Sequence, residues 1–235
     1  MNYTVILLGA VVIILFYILF KYFSTSSKTM VAQTSLKGTN PAITITDKPG
    51  SARYAYGLWL YVNQWSTGEK VIFKRIIENA VAAVPAKEFK LSLESDKPIL
   101  KLNIPQDPKG LITGTTCTPD ITITSNFPIQ KWTYIVVNVD GNFVDLYLDG
   151  KLVKSIKLLC TPTSPAESDN IELGTGFDAL VADFKRWSTP LTPQDVWTNY
   201  MSGNGGNSLK KALSAYGMNV ALIKDDVEQT KFALF

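Results

Sequence analysis

The chain contains no histidine. Every nucleophile scheme that hands its proton to an imidazole is therefore excluded, and so is any metal site built on histidine nitrogens. Cysteine is almost as scarce: two residues are too few for a four-thiolate zinc site. Charged side chains make up 18% of the chain and the net charge is +3, so there is no basic surplus of the kind that binds nucleic acid. Part of the charge deficit is local, because no charged side chain precedes Lys21.

An apolar run stands there instead. Val5 to Phe20 is interrupted by Gly9 and the ring hydroxyl of Tyr17, and Tyr3, Tyr22 and Phe23 extend it to roughly 20 residues, long enough for a helix to span a bilayer core. Tyrosines near both ends suit the interfacial belt. No Lys or Arg comes before the run and no Ala-x-Ala follows, which favours an anchor over a cleaved signal, although Ser24-Thr25-Ser26 would permit cleavage. Residues 1–23 are thus expected to be a transmembrane helix meeting the lipid bilayer through Val5 to Phe20. Residues 24–40, rich in Ser, Thr, Lys and Gly, read as a flexible stalk, and residues 41–235 as the folded domain.

Lys21, Lys28 and Lys37 follow the run, so the positive-inside rule places the larger part on the cytosolic side. The sequon Asn2-Tyr3-Thr4 lies ahead of the run, in agreement. Cys117 and Cys160 pull the other way. Each is followed by Thr-Pro; they are either joined in an oxidising compartment or two reduced thiols.

The domain is organised around Trp132 to Leu158. β-Branched and aromatic runs alternate there with Asp140-Gly141-Asn142 and Asp149-Gly150, residues that tolerate the positive φ of a tight hairpin. Val144, Leu146 and Leu148 point one way and Phe143, Asp145 and Tyr147 the other, the period of a strand with one buried face. A second layer must cover that face. Further strands are expected at Ala42 to Thr46, Tyr54 to Val62, Val71 to Phe73, Phe89 to Leu93, Ile99 to Ile104, Ile121 to Thr124 and Asn170 to Gly174. The run from Ile76 to Val84 reads as a loop or distorted edge, and Pro105 to Asp120 as a surface excursion. Thr192-Pro193-Gln194-Asp195 starts a helix that Gly203 ends, Ser208 to Gly217 suggests another, and Met218 to Ile223 a last strand.

Lys131 to Val137, Val144 to Val153, the aromatic strand Tyr54 to Val62, and Ile171-Glu172-Leu173-Gly174 followed by Ala182 to Trp187 resemble the concanavalin A-like, laminin-G-like β-sandwich superfamily. The resemblance implies an all-β antiparallel jelly-roll sandwich with one or two short helices. It leaves function open between lectins, glycosidases and adhesion modules. A short N-terminal anchor joined to such a sandwich also resembles membrane-associated structural proteins of large DNA viruses. That implies a minor capsid role in a virion, linking an internal membrane to other structural proteins.

A glycosidase needs two carboxyls flanking the scissile bond; Glu94 with Asp96 sits at a turn, Glu167 with Asp169 in a loop, and Asp145 could share a face with Asp149 but Asp149 is committed to its turn. No catalytic residue is assigned and no enzyme is expected. Calcium, if bound, would take Asp178 and Asp183 around Gly174-Thr175-Gly176 on family resemblance, with backbone hydrogen bonding to Asp183 the competing reading. No other cofactor is expected. A sugar would stack on Trp65 in its loop, or on Trp132, unless those rings are core and rim packing. The expected function is a non-enzymatic membrane-anchored scaffold, with carbohydrate binding as the alternative.

Overall fold

The computed structural model describes residues 12–15, 27–46, 52–76, 88–107, 117, 120–165, 169–205, 219–224 and 227–233. The first strands in chain order are β1 (Ser27–Ser35), β2 (Ile43–Thr44), β3 (Arg53–Val62), β4 (Lys70–Ile76), β5 (Phe89–Leu93) and β6 (Leu100–Asn103). Next come β7 (Gln106–Asp107), β8 (Asp120–Thr124), β9 (Thr133–Asp140), β10 (Phe143–Leu148) and β11 (Lys151–Lys157). After β12 (Thr161–Pro162), β13 (Asn170–Leu173) and β14 (Ala179–Trp187), the helix α1 (Pro193–Met201) precedes a separate hairpin of β15 (Asn219–Lys224) and β16 (Val227–Ala233).

Two six-stranded antiparallel sheets make the sandwich: β1-β14-β3-β9-β10-β11 and β2-β13-β4-β5-β6-β8. Alternate residues of β3, Tyr54, Tyr56, Leu58, Leu60 and Val62, enter the core between the sheets, where they meet Phe73, Phe89, Leu91, Leu102, Val144, Leu146 and Phe184. Period-two burial therefore sets the register, since a one-residue slip would turn that whole set outward. The meander turns as its residues require, with positive φ at Gly141, Asp149 and Gly150.

The sheets differ on their outer faces. That of β4, β5 and β6 is polar and laced by ion pairs, Lys74 with Glu172 at 3.2 Å and Lys90 with Glu69 at 2.8 Å. The other sheet buries a second cluster, Ala55, Trp59, Tyr134, Val136, Tyr147, Ala182 and Trp187, beneath Leu191 and Val196. Helix α1 is the lid of that cluster. Thr192 Oγ1 accepts from Asp195 N while the Asp195 carboxylate accepts from Thr192 N, a capping box with Pro193 in the first turn. Buried Asn138 pins the preceding loop, accepting from Leu191 N at 2.8 Å and donating to Leu191 O at 3.1 Å. Tyr200 stacks on Trp59 at 5.6 Å. Gly57 makes room for this second core, because a Cβ there would lie 2.9 Å from both Trp187 and the Tyr134 hydroxyl.

The expected stalk needs correction. Ser27 to Ser35 is an edge strand, registered from Ser27 opposite Trp187 to Ser35 opposite Leu180. Polar side chains suit an edge strand with one face to solvent as well as they suit a linker, so composition did not distinguish the two. Met218 to Ile223, expected as the last strand, is followed by one more, β16, with which β15 forms a hairpin. Of the apolar run, residues 12–15 are described, helical and exposed. The rest of the expected transmembrane helix, the second helix at Ser208 to Gly217, and most of Ile76 to Val84 and of Pro105 to Asp120 lie outside the described residues. Among the described residues no helix is long and apolar enough to cross a membrane.

Candidate binding site

The strand register gives the sandwich two distinct ends. At one lie Ser27, Arg53, Asp140, Phe143, Lys157 and Trp187; at the other lie Ser35, Val62, Thr133, Leu148, Lys151 and Ala179. The expected sugar and calcium residues fall mainly at the second.

A cleft of about 340 Å³ there is lined by Lys37, Gln64, Trp65, Ser66, Gly176, Phe177 and Asp178. Trp65 and Asp178, expected for different ligands, thus share one cavity. Asp178 accepts from Asn63 Nδ2 at 2.8 Å and pairs with Lys37 Nζ at 3.0 Å; those two contacts, the Asn63 bond first, hold its carboxyl below the usual carboxylate range. Trp65 is half-buried against the core, and Lys70 Nζ lies 4.0 Å above its ring. That ammonium is itself buried, donating to the carbonyls of Gly68, Glu94 and Ser95 at 2.8, 3.2 and 2.9 Å, and burial lowers its pKa. One face of the indole is therefore committed to a cation–π contact, and a sugar has only the other face and the edge.

The remaining expected residues are placed apart from this cleft. Trp132 leans on Tyr61 at 5.4 Å and packs on the outer cluster, a structural position. Asp183 sits at the bulge in β14 with φ 47° and pairs with Lys185 Nζ at 2.8 Å. Asp178 and Asp183, the expected calcium pair, are each held by a lysine of their own, Lys37 and Lys185, and among the described residues no cluster of three metal-ligating side chains forms. Cys117 and Cys160 are joined by a disulfide with Cα atoms 5.8 Å apart. It lies at the end of the sandwich opposite the cleft.

Sequence reasoning missed two features. The first is a groove of about 750 Å³ on the outer face, lined by Arg53, Asn138, Asp140, Asp145, Tyr147, Ser155 and the loop before α1. Its acids are engaged, Asp140 with Arg53 Nε at 2.7 Å and Asp145 with the Ser155 hydroxyl at 2.5 Å. The second is an apolar patch around the last turn of α1. Trp197 (42% exposed) and Met201 (65%) lie one turn apart on α1, and Trp197 shares a further hollow with Val153, Lys131 and Lys151; Val153 and its chain neighbour Leu152 are exposed as well. Spacing within α1 marks Trp197 and Met201 as one helical face, but that the face stays uncovered is a tertiary fact.

Residues 37–197 match the family described as the concanavalin A-like lectin/glucanases superfamily. The chain belongs to that superfamily. The sandwich also resembles the botulinum neurotoxin serotype D binding domain, with a TM-score of 0.54 and 14% identity over 76% of this chain and 47% of that one. A serotype D ligand binding domain in complex with N-acetylneuraminic acid gives 0.51 and 16% over 76% and 46%. The binding domain of botulinum neurotoxin DC in complex with rat synaptotagmin II gives 0.52 and 13% over 76% and 47%. In sequence, SH2 domain-containing protein A of Arabidopsis thaliana is 26% identical over 116 residues, 47% of this chain and 18% of that protein. The chain thus spans less than half of each of these proteins, and the structural likenesses show the fold alone. They correspond to the all-β sandwich expected from the residues.

Proposed function

We propose that this superfamily member is a non-enzymatic recognition module, held at a bilayer by its apolar N-terminal run, that joins the membrane to a protein layer through the Trp197 patch. The observation that carries the reading is the exposed apolar surface of a capped helix, Trp197 and Met201 one turn apart, with Trp197 sharing a hollow with exposed Val153, Lys131 and Lys151. A monomer that contacts nothing rarely leaves such a surface bare. Among the described residues the carboxyls whose pKa is displaced, Glu69 and Asp178, are both moved down, whereas a glycosidase acid must be moved up. The test is the full chain carrying Trp197→Ser with Met201→Ser. It should stay membrane-extractable and disulfide-bonded yet lose the protein layer that co-isolates with the native chain. Retention of that layer by the double variant refutes the patch.

A second reading, glycan binding, rests on the convergence of Trp65, Gln64, Ser66 and Asp178 in one cleft. The two toxin binding domains seen in complex with N-acetylneuraminic acid and with synaptotagmin II lend this fold both ligand classes without choosing between them. Glycan-array binding that disappears on Trp65→Ala would establish the second reading.

For sidedness we infer a disulfide-permissive compartment. The Cys117–Cys160 bond would not persist in a reducing cytosol. The lysines that argued for the cytosol are weaker witnesses than their sequence positions suggested, because Lys37 is paired with Asp178 and Lys28 lies within β1. Protease accessibility in sealed vesicles decides it.

A further inference from the structure

We propose that the end of the sandwich carrying Phe143 and Leu159 lies on the bilayer surface, so that the Trp65 cleft and the Trp197 patch point away from it. This deepens the reading above and rests on the apolar run being embedded in lipid.

The tether is short. Because residues 27–35 belong to β1, five residues, 22–26, separate Lys21 from the sheet, at most about 20 Å of extended chain to Ser27. β3, ten residues long, gives the sandwich a length of about 33 Å. A linker of that length cannot let the body stand upright with its far end on the membrane, because Ser27, which leaves the sheet opposite Trp187 at the end where β3 begins, would then lie about 33 Å above the surface.

That same end bears side chains suited to a lipid interface. Phe143 is 50% exposed and Leu159 62% exposed. They stand on neighbouring segments, since Leu158 N donates to Asn142 O at 2.7 Å and Phe143 faces Lys157 across the strand pair. Leu158 is buried, so Leu159 is the member of the pair turned outward. Lys157 Nζ lies 5.8 Å from the Phe143 ring centroid, placing an ammonium where an inserted aromatic would meet phosphates. Aliphatic, aromatic and cationic side chains together suit a lipid interface, the aliphatic in the acyl region, the ring at the headgroup boundary and the ammonium among phosphates. Arg53 and Asp140, also at this end, pair with each other and so add no net charge that would oppose docking.

The experiment reconstitutes the full chain in vesicles of phosphatidylcholine and phosphatidylserine. An environment-sensitive fluorophore is introduced as a single non-natural residue at position 143, 159, 65, 201 or 13, and quenching by doxyl-labelled lipid is read for each. The expected result is quenching by shallow-labelled lipid at 143 and 159, its absence at 65 and 201, and quenching by deep-labelled lipid at 13. Quenching at 65 or 201 in place of 143 and 159 overturns the orientation. Quenching at 13 alone leaves the tether standing and overturns the docking. No quenching at 13, with release of the chain by alkaline carbonate, removes the tether reading and this inference together. The full chain with Phe143→Asp and Leu159→Asp should stay tethered yet lose quenching at a probe placed at position 157; unchanged quenching there also counts against the contact.

Discussion

At the end where β3 begins, a covalent bond and a buried ion pair tie the structure together; where β3 finishes, backbone carbonyls, tight turns and a solvent-accessible ion pair do so. The first end holds the Cys117–Cys160 disulfide and Arg75, whose Nε lies 3.4 Å from Asp169 Oδ2 with neither side chain exposed. Arg75 also donates to Thr163 O at 3.1 Å and lies over the rings of Tyr54 and Phe89. At the second, Lys70 gathers three carbonyls and Asp178 links two loops. The difference teaches that the end where β3 begins is closed by covalent and buried links, while the far rim rests on turns and on polar contacts between loops.

Asp169→Asn should have the largest effect. It leaves the Arg75 guanidinium buried without its carboxylate, a loss on the order of 3–5 kcal/mol, read as a fall in the denaturant midpoint. A loss under about 1 kcal/mol would mean that the near end is not held by this pair. Replacing Cys117 and Cys160 by Ser comes next. The cysteines are 43 residues apart, for which loop-closure entropy gives about 4 kcal/mol as the upper figure. The same variants should leave the environment of Trp65 unchanged, and an equal disturbance there would dissolve the distinction between the ends.

Alkaline pH probes the near end and the outer cluster together. Burial pushes the Tyr54 hydroxyl up to about 12 and also raises Tyr134 and Tyr147. A raised folded pKa means that the stabilisation is complete below the unfolded value near 10 and is lost as pH climbs through the folded value. Tyr54 alone accounts for roughly 2–3 kcal/mol across that window. Tyrosinate absorbance from these rings should therefore appear together with unfolding, and a separate earlier titration of the buried rings would contradict the packing around Tyr54.

Much of the sandwich was legible because it is written in local signals. The two hairpin turns needed positive φ and had Gly or Asp; Thr192, Pro193 and Asp195 announced α1; alternation in β10 named its inner residues. β1 was not legible, since Ser27 to Ser35 is stabilised by partners about 150 residues away in β14 and carries no apolar alternation of its own. The outer face of β10 misled for a related reason: Tyr147 looks solvent-facing by period and is buried because α1 and its loop fold over the sheet. At the rim, Trp65 was visible as a loop aromatic, but its ammonium neighbour Lys70 and the Lys37–Asp178 pair join residues that no spacing rule connects.

The smallest expected effect belongs to that pair, and it tests the far end most directly. Asp178 has a lowered carboxyl pKa because Asn63 and Lys37 favour its charged form. A depressed folded value means that its contribution is present above the ordinary carboxylate pKa of about 4 and disappears as pH falls through the lower folded value. Protonation then releases Lys37 and weakens the link from the 176–178 loop to Asn63, next to the indole of Trp65. Acidification below about pH 4 should therefore shift the part of the tryptophan emission that Trp65→Phe removes, before the core unfolds. Asp178→Asn keeps an acceptor for Asn63 but has nothing to titrate, so its emission should be flat across the same range. If that variant responds to acid as the native chain does, the far rim is governed by other groups, and the contrast between the two ends loses its chemical basis.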